Sequence, residues 1–220
     1  MDEETAKQEV DGEFIDLNDK KFLYSFKESK HVIKEFTPNR HLPITISYDF
    51  NVEPMTALVS QQVNIRKAVI FDEISIKVGS VEEIDEIIKV KYIHWFGNID
   101  ITGDATGRNR EKVKKGNINA YRQIKDDLAL KDFNIKVPTS NPAHRDSRQL
   151  CNSVLTHAEF LITDNCQQTI ADVVSASVDD GGELIKDKQN GLHFFDNYRY
   201  TIHAYYPDFI KNPNKYRNAA

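Results

Sequence analysis

Ile44-Thr45-Ile46-Ser47-Tyr48-Asp49-Phe50-Asn51 is the stretch on which the reading of this chain turns. Ile44, Ile46 and Tyr48 alternate with Thr45, Ser47 and Asp49, the two-residue period of a strand with two distinct faces. The run ends on a carboxylate. A second apolar run follows through Met55, Leu58 and Val59, and a third over 67–76, so the spacing predicts three antiparallel strands, 44–49, 55–62 and 67–76. Turns are expected at Asn51–Pro54 and Gln61–Arg66. A core strand that ends in Asp must cap a turn, pair that charge or bind a cation, because a lone buried carboxylate is costly.

Composition narrows the classes. With 220 residues, 40% hydrophobic and 29% charged, the chain is long enough for one good core. It has no apolar run near the roughly 20 residues that a membrane span requires. The first fifteen residues are acidic and polar, which is not the pattern of a signal peptide. Cys151 and Cys166 lack metal or redox spacing and read as free thiols in a reducing compartment. His144 and His157 add no zinc pattern. The net charge of -5 argues against a general polyanion binder. However, ten acids and six lysines fall within residues 1–35, leaving the remainder close to neutral. Arg108, Arg110, Lys112, Lys114 and Lys115 then form a local basic patch able to engage phosphates.

Downstream of the three strands, 81–92 reads as an amphipathic helix with Ile84, Ile87 and Ile88 on one face. A strand near 99–102 runs into Gly103-Asp104-Ala105-Thr106-Gly107, placing Asp104 at the carboxyl end of a strand, where open α/β sheets bind ligands. No Gly-Lys-Ser or Gly-Lys-Thr follows, so this is not a Walker-type loop. Helices are expected at 117–130, 146–159 and 167–176, with short strands at 134–137 and 160–163. Gly191 to Tyr206 reads as a further helix on which Leu192, Phe195, Arg199, Ile202 and Tyr206 share one arc. Asp196 and His203 lie at its edge. An i,i+3 pair with Arg199 accounts for Asp196 structurally; holding a cation is the alternative. Asp49, Asp104 and Asp196 together would suit hard divalent ions, which take carboxylate oxygens and water.

The wording and order of these segments resemble a known family. Tyr48-Asp49-Phe50-Asn51-Val52-Glu53-Pro54-Met55, Gly103-Asp104-Ala105-Thr106-Gly107, Ser140-Asn141-Pro142 and His193-Phe194-Phe195-Asp196-Asn197-Tyr198-Arg199-Tyr200 are similar to the C-terminal nuclease domain of the large terminase subunit of tailed double-stranded DNA bacteriophages. Asp11 to His31-Val32 resembles that family's connector from its ATPase domain. The resemblance implies an RNase H-like α/β fold, with a central mixed sheet, antiparallel meander first and parallel strands after, flanked by helices. It implies residues 1–36 as an acidic lead-in and 37–220 as the nuclease domain.

It also implies a metal-dependent endonuclease that cuts concatemeric viral double-stranded DNA during packaging, using two Mg²⁺ or Mn²⁺ ions held by Asp49, Asp104 and Asp196. His193 becomes an auxiliary ligand or proton carrier, and Arg108 to Lys115 a DNA-backbone contact. Asp72-Glu73 matches an acidic spot of the family near the third strand, but reads first as a polar pair at a strand's edge. The implied partners are an ATPase domain, portal protein and small terminase subunit, at the procapsid portal in the host cell cytoplasm. Without a Walker A loop the chain reads as an excised domain with no translocation activity. The rivals are a resolvase or recombinase of the same fold, and a non-catalytic docking module whose acids are structural.

Overall fold

A computed structural model describes residues 20–51, 53–109, 119–186 and 191–217. Its strands are β1 (Val32–Ile33), β2 (Ile44–Asp49), β3 (Met55–Asn64), β4 (Lys67–Ile76), β5 (Ile99–Gly103) and β6 (Glu159–Thr163). Its helices are α1 (Glu28–His31), α2 (Val81–Lys91), α3 (Ala120–Asp127), α4 (His144–His157), α5 (Gln167–Ser175), α6 (His193–Tyr205) and α7 (Pro213–Arg217).

The strands form one mixed sheet in the order β1-β6-β4-β3-β2-β5. The meander β2-β3-β4 is antiparallel, while β5 adds parallel to β2, and β6 parallel to β4. This is the expected α/β architecture. β2 lies inside the sheet between β3 and β5, and all six of its residues are buried. Its even positions, Ile44, Ile46 and Tyr48, pack in one core with Ile84 and Ile88 of α2 and Tyr121 and Ile124 of α3. Its odd positions turn to the opposite face, where α6 lies.

There Asn197 docks the helix. It accepts from Ser47 Oγ at 2.9 Å and donates to Thr56 Oγ1 at 3.0 Å, so the polar alternation of β2 is matched by one amide on α6. Below it, Phe195, Tyr198, Ile202 and Tyr206 join α4, β6 and Phe22 in the second core. Phe22 meets Phe195 edge-on at 4.9 Å, and its N–H donates to Ala176 O. Residues 21–33 therefore pack into the body and supply the edge strand β1.

Local sequence accounts for most boundaries. Ser80 and Glu83 form a reciprocal capping box at the start of α2. Glu73, at the meander's edge, accepts from the N–H groups of Gln168 and Thr169 and so caps α5. Asp72 accepts from Lys91 Nζ at 2.6 Å. The acidic pair is thus engaged in holding helices to β4.

Three expectations are corrected. The predicted turn at Gln61–Arg66 is shorter, because β3 continues to Asn64, and Gln61 is buried and hydrogen-bonded to Asn39 O. Residues 134–137 form no strand: Asp132–Asn134 is a 3-10 turn, and Ile135 makes only an isolated bridge to Ile101. Pro138 ends the extended run before a ladder can grow. The helix expected over 117–130 comprises Ala120–Asp127, capped by the Asn119 side chain; Asn117 and Ile118 lie outside the described residues.

Candidate metal centre at the carboxyl edge of the sheet

The site begins with strand register. Thr45 pairs with Asp100, Ser47 with Thr102 and Tyr48 with Gly103 along the parallel β2-β5 ladder. One residue further, Asp49 and Asp104 stand at the carboxyl ends of adjacent strands, and the Asp104 N–H donates to Tyr48 O at 3.0 Å. Alternation directs both toward the α6 face. Gly103 makes this approach possible: at φ +138°, a Cβ there would lie 2.2 Å from Tyr48 O.

Asp196 comes from the first turn of α6. The start of that helix is fixed by Asp172, which accepts from the Phe194 N–H at 3.0 Å. Burial pushes the Asp172 carboxyl up to about 6, against the backbone N–H groups that hold it charged. α6 is buried almost all round, from Phe194 to Ile202, so Asp196 is enclosed rather than placed at the edge of an apolar arc.

The three carboxylates differ in what satisfies them. Asp49 is 3% exposed. Its Oδ2 accepts from Asn51 Nδ2 and lies 3.8 Å from His193 Nδ1. Asn51 Nδ2 also lies 2.9 Å from that imidazole nitrogen. Burial pushes the Asp49 carboxyl up, the His193 ring draws it back, and the charges of Asp196 and Asp104 push it up again. Asp104 accepts from the Thr106 N–H at 2.8 Å, Thr106 Oγ1 at 2.6 Å and Asn141 Nδ2 at 2.7 Å.

Asp196 is paired on both oxygens. Arg199 donates to Oδ1 at 2.6 Å, and Lys186 to Oδ2 at 2.5 Å. Burial alone would raise this carboxyl; Arg199 and then Lys186 overcome it and hold it below the ordinary range. Arg199 is locked in turn by donating to Ser147 Oγ, which also meets His203 Nε2. Burial beside Arg199 drops His203 to about 4, keeping it neutral. The structural pairing of Asp196 with Arg199 is therefore real and coexists with its place beside the other acids.

Tyr200 and Tyr121 line the same space: burial raises both phenols, and the charges of Asp49 and Asp104 raise them further. Among the described residues, no three acids, histidines or cysteines stand close enough together to hold an ion as they are. The three carboxylates nevertheless offer hard oxygen, and among the described residues no lysine or arginine is paired with Asp49 to offset the repulsion it carries. A divalent ion suits that deficit, provided Lys186 yields Asp196 Oδ2. Of the predicted basic patch, Arg108 donates to Val137 O at 2.6 Å and Pro138 O at 3.3 Å, tying down the segment before Asn141. Arg110, Lys112, Lys114 and Lys115 lie outside the described residues. Sequence reasoning gave no role to Asn51, Asn141, Tyr200 or Lys186. Asn51 and Asn141 carried a signal, each standing beside or within a quoted motif; Lys186 carried none.

No protein-family model matches the chain, and no curated protein matches it in sequence. Solved structures do. A large terminase from a thermophilic bacteriophage superposes with a TM-score of 0.60 at 18% identity, over 83% of this chain and 44% of that one. The P22 large terminase nuclease domain superposes with a TM-score of 0.61 at 12% identity, over 87% of this chain and 92% of that domain. The chain has the fold of large terminase nuclease domains. It is RNase H-like, and it spans under half the length of the thermophilic phage protein and nearly all of the P22 domain.

Proposed function

We propose that this chain is a divalent-metal-dependent DNA endonuclease that cuts viral double-stranded DNA during genome packaging, with Asp49, Asp104 and Asp196 as the metal-holding carboxylates. What supports the reading is the placement of these three acids at one edge of the sheet, two at the ends of adjacent parallel strands and one on the helix docked across them, near enough that Asp104 and Asp196 raise the Asp49 carboxyl. When bound there, two Mg²⁺ or Mn²⁺ ions supply charge stabilisation to the scissile phosphate and a nucleophile at neutral pH.

The chain's own residues set the conditions for that chemistry. Asn51 orients the Asp49 carboxylate and the His193 ring together. His193 is the proton carrier of this reading. Thr106 and Asn141 hold the Asp104 carboxylate in one orientation, and Arg199 does so for Asp196. In the longer protein of this reading, an ATPase domain, portal and small subunit deliver the DNA, so the isolated chain is expected to bind DNA weakly and with strong salt dependence.

The test is nicking of supercoiled plasmid with Mn²⁺, Mg²⁺ or EDTA by the parent chain and by folded Asp49→Asn. Metal-dependent nicking that drops roughly 100-fold or more in the variant supports the site. Equal cutting by both proteins places the activity elsewhere. One observation favours a second reading, a docking module with structural acids: Asp196 is already satisfied by Arg199 and Lys186. Absence of both metal-dependent cleavage and any metal-induced thermal shift would select that reading.

A further inference from the structure

The two cations on Asp196 are not equivalent. Arg199 is 3% exposed, donates to Oδ1 and is fixed by Ser147. Lys186 is 49% exposed at its side chain and reaches Oδ2 from outside the helix. It is delivered by a tied turn: Val178 bridges Leu184, the Ile185 N–H donates to Ser177 O, and Asp179 Oδ1 accepts from the N–H groups of Gly181 and Glu183. Glu183 is clamped to His144 of α4 at 2.7 Å. The named polar partners of Asp49 and Asp104 are instead neutral amides, a hydroxyl, backbone N–H groups and an imidazole. One half-exposed positive charge is therefore brought to the acid cluster, at the carboxylate oxygen that faces outward.

We infer that the Lys186 ammonium is an internal competitor for the divalent ion: it holds the outward oxygen of Asp196 in the metal-free protein and must leave when the ion binds. The inference rests on the metal-centre reading above. With Lys186 seated, three carboxylates face two single charges; with the first divalent ion in its place they face a dication and Arg199, and a second ion is then balanced by the phosphate it binds. Lys186 is half-exposed, so its ammonium can return to water when the ion takes over Oδ2, and Asp196 is never left without a cation. The burial of Arg199 excludes it from the same role.

Two measurements test this on the same metal-stripped protein. Calorimetric titration with Mn²⁺ should show Lys186→Gln binding roughly three- to tenfold tighter than the parent, with Lys186→Arg close to the parent. Amine acetylation followed by mass spectrometry should show Lys186 labelled slowly in EDTA and several-fold faster in saturating Mg²⁺. Lys136, whose ammonium is paired with Asp100 at 2.5 Å outside the cluster, serves as the internal reference and should not respond. Equal, measurable Mn²⁺ affinity in parent and Lys186→Gln, or Lys186 labelling indifferent to bound Mg²⁺, overturns the competitor role and leaves the metal centre standing. No Mn²⁺ binding to either protein overturns the metal centre and the inference together.

Discussion

Asp85 offers the sharpest test of how the acids of this fold are balanced. It is fully buried on α2, and its Oδ1 accepts from Tyr48 Oη at 2.6 Å, directly behind Asp49. Its Oδ2 and the Oδ2 of Asp127 on α3 are both buried without a donor. Two carboxyl groups in that position are satisfied when one proton is shared between them. Burial first, and then Asp127, push Asp85 up to about 7, against the pull of Tyr48 and Lys89. A carboxyl whose folded pKa lies above its unfolded value favours the protonated fold. Its contribution is whole below pH about 4 and is lost as pH rises through about 7.

From the ordinary value of 3.8 to about 7, the full loss is about 4 kcal/mol, of which roughly 2 to 3 kcal/mol falls between pH 5 and pH 8. Asp85→Asn keeps the acceptor for Tyr48 and gives Asp127 a permanent donor. The variant should therefore be flatter in stability across that interval by roughly 2 to 3 kcal/mol, and more stable than the parent at pH 8. At this chain length that corresponds to a difference in Tm of roughly 5 to 10 °C. Thermal and urea unfolding at pH 5, 6, 7 and 8 measure it. Parallel loss of stability in both proteins, or a variant weaker at every pH, would refute the shared-proton account.

Three further outcomes follow from packing. Asn197→Ala leaves Ser47 and Thr56 buried without their partner and should cost about 2 to 4 kcal/mol in urea unfolding, with loosened docking of α6. Gly103→Ala forces a Cβ against Tyr48 O at a φ that L-residues avoid, a loss on the order of 3 kcal/mol seen as a lowered Tm. Phe22→Ala removes a fully buried ring from the core beside Phe195 and should cost about 3 to 5 kcal/mol; an unchanged Tm would show that residues 20–36 are not needed by the fold.

The sheet was legible because its pattern is local. Alternation in β2 and the turn residues after it specify strands without reference to the rest of the chain, and β2, β4 and α5 fall within a residue of expectation. Residues 134–137 misled because a short apolar run before proline satisfies the same local rule, yet a strand needs a partner ladder that only tertiary position supplies. The acids were found one by one, as residues at strand ends and on a helix. Their mutual charge effects arise from the β2-β5 register and the Asn197 dock, which join positions more than fifty and more than a hundred residues apart.

Lys186 shows the limit of local reading most plainly. In sequence it is one lysine in a charged connection, ten residues before Asp196 and without periodicity to give it a face. Its meaning comes from the turn that carries it and from the second cation already on the same carboxylate. An ammonium on Asp196 satisfies the ion-pair explanation of that acid and at the same time occupies the place a metal would take. The structural and the catalytic accounts of Asp196 are then two states of one site, separated by which positive charge sits on Oδ2. On the proposed reading the metal-free pairing is a resting arrangement of the centre, because a carboxylate as buried as Asp196 needs a cation whether or not a divalent ion is bound.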